Sequence, residues 1–353
     1  MVKVLGAGLS GLSCAINLAL SGREVVVFER RSGVGLQVHE NYQVLQTRGK
    51  IVEEYLGLLN LSPRFNHFSL SKSLFSTASR DLDVLLNSPV HFVQRGGISS
   101  LEHGLCAQAL DLGVKFKFGA RTSESEVDVV ATGPKSVDST AYGAVYENVD
   151  FPRDKFLMMY DDRYSPKGWY FYVIPFGENL VEVVNCASQP HGGRVKELFY
   201  RALSERDSLK KYFEGKTPVS TFGGFGSVNV PKTALKDGRL LVGEAAGFQD
   251  PFRGFGMNFA LESGFLAAHA IKDGENYDML WKRKFMPQFK LDFSRRLVIS
   301  VLGSRVVDLM YRGVKSGDAI SFKSGDLGSV VGESLKSVLF SAELLKRKIT
   351  GYW

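Results

Sequence analysis

Cysteine is scarce in this chain of 353 residues. Its three cysteines, Cys14, Cys106 and Cys186, are an odd number and show no Cys-x-x-Cys spacing. A disulfide framework needs paired cysteines and an oxidising compartment, so this pattern argues against one and favours a reducing, cytoplasmic location. Each cysteine falls on the apolar face of a predicted helix or strand, where we expect an inert core thiol.

Metal-ligand and nucleic-acid-binding patterns are also missing. The six histidines never stand at metal-ligand spacing from a cysteine or from one another, so we expect no metal. The 44 lysines and arginines exceed the 37 acidic residues, which gives a formal net charge of +7. This surplus suits an anionic cofactor, an acidic partner or an anionic membrane face. Because no interleaving of aromatic and basic residues accompanies it, we expect no nucleic-acid partner.

The N-terminal run from Val4 to Gly22 carries no charge and has the length of a signal peptide or membrane span. Its glycines argue against both. A short apolar strand leads into Gly6, Gly8 and Gly11, which are spaced as Gly-x-Gly-x-x-Gly, and a helical pattern follows. This strand, turn and helix begin a dinucleotide-binding unit.

Each glycine of this motif has a physical task. Gly6 allows the tight turn, Gly8 lets a pyrophosphate approach the backbone, and Gly11 lets the helix pack close to the strand. The next strand ends at Glu29, where a carboxylate can accept both hydrogen bonds from an adenosine ribose. With strand, helix, strand and acid in register, the sequence predicts cofactor binding by Gly6, Gly8, Leu9, Ser10, Gly11, Glu29 and Arg30.

A second glycine-bearing signature runs from Gly238 to Ala268. A predicted strand delivers Gly243 to a turn of small residues, and Glu244 beside it can accept a hydrogen bond from a ribitol hydroxyl. The positive end of the helix that starts near Met257 suits the N1/O2 edge of a reduced flavin. The candidate residues of this signature are Gly243, Glu244, Pro251, Gly254, Phe255, Gly256 and Met257.

The order of elements predicts an α/β fold. It comprises a doubly wound Rossmann-type FAD domain, an antiparallel β substrate domain and a helical C-terminal region. The antiparallel domain is predicted from the strand patterns at 144–187, and the helical region from the helical pattern beyond Ser263. The expected FAD domain is discontinuous, and the predicted boundaries are 1–62, 88–140 and 231–280 for FAD binding, 63–87 and 141–230 for substrate binding, and 281–353 for the helical region.

In these motifs the chain resembles the flavoprotein hydroxylase superfamily, which has the p-hydroxybenzoate hydroxylase fold. Within that superfamily it most resembles the geranylgeranyl reductases. The resemblance is carried by Gly-Glu-Ala-Ala-Gly at 243–247, by Pro-x-x-Gly-x-Gly at 251–256, and by a helix with Ser-Gly near its middle. It implies one FAD held by both glycine-bearing regions, with the candidate residues of the second signature at its flavin end. It also implies that Arg95 lies near the cofactor and that Thr132 and Gly133 belong to a third flavin-contact motif, in which Thr132 replaces the usual Asp.

The segment Tyr-Phe-Tyr-Val-Ile-Pro at 170–175 resembles the aromatic-x-aromatic-x-[FI]-P strand that faces the substrate cavity in the reductases and in flavin-dependent halogenases. The alternative for such aromatic residues is ordinary core packing. Arg253 is a candidate to stabilise the flavin anion or a phosphate on the substrate. The alternative is an arginine on a surface loop. The resemblance implies a substrate cavity that includes Trp169, Tyr170, Tyr172, Pro175 and Arg253.

The chain departs from the reductases in the loop at 34–41, which lacks the cysteine that they commonly carry there. His39 and Glu40 on this loop are the candidate catalytic proton donors, and the alternative is a solvated pair of loop residues. A second Gly-x-Gly-x-x-Gly for a resident nicotinamide is also missing. We therefore expect reducing equivalents from transient NAD(P)H or from a protein donor such as ferredoxin.

These observations predict an FAD-dependent oxidoreductase that reduces C=C bonds of an isoprenoid, geranylgeranyl-type lipid. Such a reaction needs a hydride from flavin N5, a proton for the other carbon and an apolar tunnel that aligns the chain. Two alternatives stay open: an FAD-dependent monooxygenase or halogenase of the same fold, and a flavin-bound non-catalytic protein. The identity of the substrate and of the electron donor is left open as well.

We expect a cytoplasmic monomer. Near the C-terminus stand a basic cluster, Lys346-Arg347-Lys348, and the aromatic pair Tyr352-Trp353. This segment either rests on a membrane surface as a peripheral contact or packs as a terminal helix with a solvated end.

Overall fold

The structure, a computed structural model, describes residues 1–227 and 230–321, together with 339–342 and 345. The chain forms two compact units, and each is built from separate stretches of sequence. The first unit comprises Met1–Phe68, His91–Ser136 and Ser227–Phe289, and the second comprises Ser69–Val90, Val137–Gly226 and the described part of Lys290–Trp353.

The described chain contains both helices and strands, and strands predominate in its first half. The strands are β1 (Val2–Leu5), β2 (Val25–Glu29), β3 (Asn41–Leu45), β4 (His67–Thr77), β5 (Asp81–Arg95), β6 (Lys115–Phe118), β7 (Val129–Val130), β8 (Ser139–Glu147), β9 (Phe156–Tyr160), β10 (Phe171–Phe176), β11 (Leu180–Ser188), β12 (Ser220–Gly226), β13 (Leu235–Lys236), β14 (Arg239–Leu241) and β15 (Ala319–Ile320). The α-helices are α1 (Leu9–Leu20), α2 (Val52–Gly57), α3 (Leu101–Asp111), α4 (Val195–Glu205), α5 (Asp207–Phe213), α6 (Met257–Asp273), α7 (Tyr277–Leu302) and α8 (Arg305–Met310).

The sheet of the first unit has the strand order β13-β14-β7-β1-β2-β6. Only β13 is antiparallel to its neighbour; β14, β7, β1, β2 and β6 run parallel. Strands β1 and β2 are short apolar runs with buried residues such as Val4 and Val27, as expected for a parallel sheet covered on both faces. Because these strands are parallel, β1, β7 and β14 end at the same edge, and their C-terminal ends lead to Gly6, Thr132 and Gly243.

Small residues bring α1 and α6 together beside this sheet. The Ser13 hydroxyl of α1 donates to the carbonyl oxygen of Leu261 in α6 at 2.7 Å, and both side chains are buried. The Ser263 hydroxyl of α6 accepts from the backbone N–H of Gly243 at 2.8 Å. Two helices that are more than two hundred residues apart in sequence are thereby fixed to the same sheet edge.

The second unit is built on an antiparallel sheet in the order β12-β8-β11-β10-β9. Residues Ser73–Thr77 of β4 extend it by parallel pairing with β9. One face is covered by α4 and α5, whose Phe199 and Phe213 belong to the same buried core as Tyr146 and Phe171 of the sheet. The predicted class, a Rossmann-type α/β unit with an antiparallel β unit, is confirmed.

Three elements differ from the sequence prediction. The region beyond Ser263 is not helical throughout, because Ala319–Ile320 forms β15, which pairs in parallel with Leu85–Leu86 of β5. The sequence pattern predicts only a short strand at 91–94, whereas strand β5 spans fifteen residues. The sequence pattern predicts a strand at 169–175, whereas Trp169 and Tyr170 precede β10.

The sequence pattern also predicts a terminal helix on the apolar series Val331, Leu335, Val338, Ala342 and Leu345. The first three of these residues lie outside the described residues, as do the basic cluster at 346–348 and the aromatic pair at 352–353. Among the residues that the structure describes, no helix combines the length and the apolar character needed to cross a bilayer.

Candidate functional site

The glycine turns of both signatures lie at the shared edge of the first unit's sheet. Gly6 has φ +106°, and a Cβ there would lie 2.3 Å from the carbonyl oxygen of Ala131, the residue before Thr132. Gly243 has φ +59°, and a Cβ there would lie 2.8 Å from the Ser10 hydroxyl oxygen. The N-terminal motif therefore lies directly against both the segment that follows β7 and the segment that follows β14.

Gly8 differs from these two glycines. A Cβ built on Gly8 would meet no atom within 4 Å, and its φ of −82° is accessible to any residue. The open space lies at the start of α1, whose N-terminus has no side-chain cap. Uncapped N–H groups of the first helical turn beside a glycine with free space are what a pyrophosphate needs.

Glu29 links the end of β2 to the glycine turn. Its carboxylate accepts hydrogen bonds from the backbone N–H of Ala7 at 3.0 Å and of Arg31 at 2.9 Å. The side chain is almost fully buried, and each carboxylate oxygen retains a lone pair for a further donor. The geometry fits a carboxylate that accepts from ribose hydroxyls, with Arg30 exposed beside it.

At the other signature, Glu244 is a half-buried residue, and its carboxyl group forms no ion pair with a cation that the structure describes. Burial raises its pKa to about 7, and a backbone hydrogen bond from Ser227 and the charge of Arg95 lower it only in part. Its Oε2 atom has no hydrogen-bond partner among the described residues. A buried oxygen of this kind is costly unless a ligand donates to it.

The loop from Gln249 to Gly256 turns around the buried Asp250. Asp250 donates its N–H to the carbonyl oxygen of Phe255 at 2.9 Å and accepts from the N–H of Gly254 at 2.8 Å. The Gln249 amide nitrogen donates to the carbonyl oxygen of Gly254 at 2.8 Å, but its Oε1 has no partner in the described chain. Hydrogen bonding within the loop therefore leaves a polar atom for a ligand.

Asn258, the second residue of α6, adds to this set. Its side chain is buried, and neither its Oδ1 nor its Nδ2 has a partner within the described residues. Gln249 and Asn258 are not among the residues singled out from sequence, although both lie within the second signature. Together with Glu244 they provide unpartnered donors and acceptors at the turn that the resemblance assigns to the flavin end of FAD.

Arg95 is held by two side chains. Its Nε donates to Glu102 Oε1 at 2.6 Å and its Nη1 to Gln43 Oε1 at 2.9 Å. Glu102 is completely buried, and sequence reasoning did not identify it. Because Arg95 also acts electrostatically on Glu244, the pair with Glu102 keeps a cation beside the second signature.

His39 and Glu40, the candidate proton donors, are exposed on the loop before β3. Glu40 Oε1 accepts from Gln94 Nε2 at 2.8 Å, and a Cβ on Gly97 would lie 2.8 Å from the Glu40 carboxyl carbon. His39 Nδ1 lies 2.9 Å from the carbonyl oxygen of Glu40, which can only accept, so Nδ1 carries a proton. The loop therefore has a defined conformation.

The remaining cofactor candidates of the first unit lie in the segments that follow β1, β7 and β14. Arg253 is partly buried and packs over the Phe252 ring at 5.3 Å, while Thr132 is exposed and precedes Gly133 at φ +81°. The other predicted contacts are buried or half-buried around the two turns: Leu9, Ser10, Gly11, Pro251, Phe255 and Met257.

The other four substrate-cavity candidates, Trp169, Tyr170, Tyr172 and Pro175, lie in the second unit. Tyr170 and Tyr172 have ring centroids 6.1 Å apart, and the Tyr172 hydroxyl hydrogen-bonds to Glu182, a fully buried residue of β11. Burial, followed by the charge of Glu182, raises the pKa of Tyr172 well above its usual value. Sequence reasoning did not identify Glu182, because nothing in its local pattern marks a buried acid.

The first unit thus has the fold and the edge geometry of a dinucleotide-binding flavoprotein. The open space at Gly8, the carboxylate of Glu29 and the unpartnered atoms of Glu244, Gln249 and Asn258 all fit FAD.

Comparison with known proteins agrees with this class. Residues 4–66 match the NAD(P)-binding Rossmann-like domain family. The chain is 24% identical to digeranylgeranylglycerophospholipid reductase 2 of Methanothermobacter thermautotrophicus, over 91% of this chain and 93% of that protein. It is 23% identical to the protein of the same name from Methanopyrus kandleri, over 98% and 97% of the two chains. It is also 24% identical to menaquinone reductase of Mycolicibacterium smegmatis, over 84% and 83%.

Solved structures share the fold. A geranylgeranyl bacteriochlorophyll reductase-like protein from Thermoplasma acidophilum superimposes with a TM-score of 0.74 at 17% identity, over 97% of this chain and 98% of that one. The flavin-dependent brominase Bmp2 superimposes with a TM-score of 0.63 at 17% identity, over 88% and 91%. The predicted resemblance to the geranylgeranyl reductases is confirmed, and the chain is an FAD-dependent oxidoreductase of this fold.

Proposed function

We propose that this protein reduces C=C bonds in an isoprenoid lipid, with FAD as its resident cofactor. The observation that carries the proposal is the similarity to two digeranylgeranylglycerophospholipid reductases, which extends over more than nine-tenths of each pair of chains. The similarity includes the turns whose unpartnered buried atoms fit the cofactor.

The residues of the first unit have separable tasks in this proposal. The N-terminus of α1 and the space at Gly8 hold the pyrophosphate, and Glu29 accepts from the adenosine ribose. Glu244, Gln249 and Asn258 satisfy polar groups at the flavin end, and Arg95 provides positive charge there. Bound FAD supplies the two-electron chemistry of the reduction.

A reduction of this type also needs a proton at the second carbon. His39 and Glu40 are the proposed donors, and Gln94 holds the Glu40 carboxyl in place through its 2.8 Å hydrogen bond. The aromatic residues Trp169, Tyr170 and Tyr172, with Pro175, are proposed to contact the apolar chain of the substrate. Arg253 is proposed to stabilise a negative charge on the flavin or on the substrate.

The electron donor is proposed to bind transiently, as NAD(P)H or as a protein of the ferredoxin type. We further propose that the working form is a cytoplasmic monomer. Sedimentation of the purified protein would test the second proposal, and anaerobic reduction by each donor would test the first.

The decisive experiment is anaerobic turnover of a digeranylgeranyl lipid by the purified, FAD-loaded protein. We expect the reduced flavin to be reoxidised by the lipid and the product to gain two hydrogens for each bond reduced, as measured by mass spectrometry. Turnover that requires oxygen and consumes it in step with product would instead identify a monooxygenase or halogenase. A flavin that no donor reduces would identify a non-catalytic protein.

Variants of the loop test the proton donors separately from cofactor binding. His39→Gln and Glu40→Gln should retain FAD but slow product formation, because the charge and shape of the cofactor site are unchanged. Glu178→Gln, which changes an exposed acid in the turn between β10 and β11, is the matched control. Unchanged turnover in both loop variants would remove His39 and Glu40 from the mechanism without affecting the assignment of FAD.

A further inference from the structure

The corner between α7 and α8, in the second unit, exposes large apolar side chains. Val301 and Leu302 end α7 and are 69% and 55% exposed, and Leu309 and Met310 end α8 and are 66% and 36% exposed. A helix of six residues rises only about 9 Å, so the end of α7 and the end of α8 are separated by one short helix and one turn. We call these four residues the corner patch.

The backbone of this corner is fixed by hydrogen bonds. Asp162 Oδ2 accepts from the N–H of Ser304 at 2.8 Å, and the Ser304 hydroxyl oxygen accepts from the N–H of Asp162 at 3.2 Å. Gly303 between the helices has φ +67°, and a Cβ there would lie 1.9 Å from Asp162 Oδ2. The turn between α7 and α8 therefore has a conformation that these hydrogen bonds and Gly303 define.

The other end of α8 is held equally firmly. The Arg80 guanidinium donates to the carbonyl oxygens of Arg312 and Val314, each at 3.2 Å, and also to that of Tyr311. The Tyr311 ring packs on Phe75 with centroids 4.5 Å apart. Because both ends of α8 are fixed, the exposure of Leu309 and Met310 is a property of the folded unit.

Basic side chains border the corner patch. Arg305, Arg312 and Lys315 are exposed, and none of the three forms an ion pair within the described part of the chain. Arg305 and Leu309 are four residues apart on α8, so a cation and an apolar side chain share one side of the helix. The nearby carboxylates are engaged: Asp308 accepts from the Ser79 hydroxyl at 2.7 Å, and Asp318 from the N–H of Lys315 at 2.8 Å.

We propose that the corner patch is a membrane-docking surface that binds the face of an anionic lipid bilayer. Apolar side chains held outward insert at the boundary between headgroups and acyl chains, and adjacent cations bind the anionic headgroups. The combination of exposed leucine, valine and methionine with unpaired cations favours this occupant over a second copy of the chain, whose matching surface would bring the same positive charges together.

Co-sedimentation with vesicles tests the proposal without depending on turnover. The FAD-loaded protein should bind vesicles of phosphatidylglycerol and phosphatidylcholine more tightly than vesicles of phosphatidylcholine alone, and added salt should weaken the difference. The double variant Leu309→Gln/Met310→Gln should lower the partition coefficient about tenfold or more. Arg305→Gln or Arg312→Gln should each lower it about fivefold, on anionic vesicles only.

Leu110→Gln and Arg23→Gln make the same chemical changes at exposed positions of the first unit and serve as matched controls. Both should bind vesicles like the parent protein, and all variants should retain the same melting temperature and flavin content. Absence of vesicle binding, or equal binding by corner and control variants, would overturn the proposal. A dimer that Leu309→Gln dissociates would also overturn it and would assign the corner patch to a second copy.

Discussion

Gly264 in α6 lies against the backbone of Ser10 in α1, and a Cβ built on Gly264 would lie 2.2 Å from the Ser10 carbonyl oxygen. Ser10 is part of the N-terminal glycine motif, and Gly264 lies within the second signature. The two cofactor-binding regions are therefore joined by a direct helix contact, so their relative position is fixed by the protein fold before any ligand binds.

The first prediction follows from this contact. Gly264→Ala places a methyl group where backbone atoms already lie, so α1 and α6 must separate, which should cost at least about 1–3 kcal/mol of unfolding free energy. Urea unfolding of the FAD-free protein measures this change. Gly57→Ala, at a helical glycine whose added Cβ would meet nothing within 4 Å, is the control and should not destabilise. Equal stability of both variants would show that α1 and α6 are less tightly packed than described.

The second prediction separates cofactor binding from folding. Gly8→Ala adds a methyl group in free space, so the FAD-free protein should unfold at the same urea concentration as the parent. The same methyl group occupies the space that a pyrophosphate needs, so FAD affinity should fall at least tenfold, and Gly8→Glu should abolish it. Titration of the FAD-free protein followed by visible absorbance gives the affinity. Full retention of FAD by Gly8→Glu would contradict the assignment of this turn.

The turn that sequence reasoning predicted at the N-terminal glycine motif depends on a local pattern. Gly6, Gly8 and Gly11 serve a turn that is complete within a few residues, so spacing alone predicts it. Glu102, Gln249 and Asn258 are different, because their importance depends on burial and on partners that are distant in sequence. A buried, unpartnered amide cannot be recognised from its neighbours in the chain.

Errors in the strand predictions have a similar origin. Strand β15 has two residues and exists because β5 offers it an edge, so tertiary pairing overrides the local helical pattern. The length of β5 was easier to predict from sequence. Leu82, Val84 and Leu86 alternate strictly with exposed residues, which is the pattern of a strand with one buried face.

The third prediction concerns the pair formed by Arg95 and Glu102. Arg95→Met removes the cation from a carboxylate that is fully buried, which should destabilise the FAD-free protein by about 3–5 kcal/mol. The exposed pair of Arg194 and Glu197 provides the control, and Arg194→Met should leave the urea midpoint unchanged because solvent screens that pair. Similar effects of both substitutions would mean that the Arg95 pair is hydrated in solution.

The fourth prediction is a dependence of stability on pH that Glu244 causes. Its pKa is raised from 4.5 to about 7 by burial, so the folded chain favours the protonated acid. Below the unfolded value both states are protonated and the group has no destabilising effect. As pH rises from 4.5 to about 7 the unfolded carboxyl ionises first, and the FAD-free protein loses stability on the order of 3 kcal/mol.

Glu244→Gln removes this titration and keeps the shape of the side chain. The variant should therefore gain stability relative to the parent as pH rises through this window, with no further gain above it, when urea unfolding of the FAD-free proteins is followed across the range. Glu178→Gln should show no such difference, because Glu178 is exposed. FAD adds a second readout: a ribitol hydroxyl that donates to Glu244 favours the carboxylate, so parent FAD affinity should rise with pH over the same interval while that of Glu244→Gln stays constant. A parent and variant whose stabilities stay parallel with pH would mean that water hydrates the Glu244 carboxyl group in the FAD-free protein.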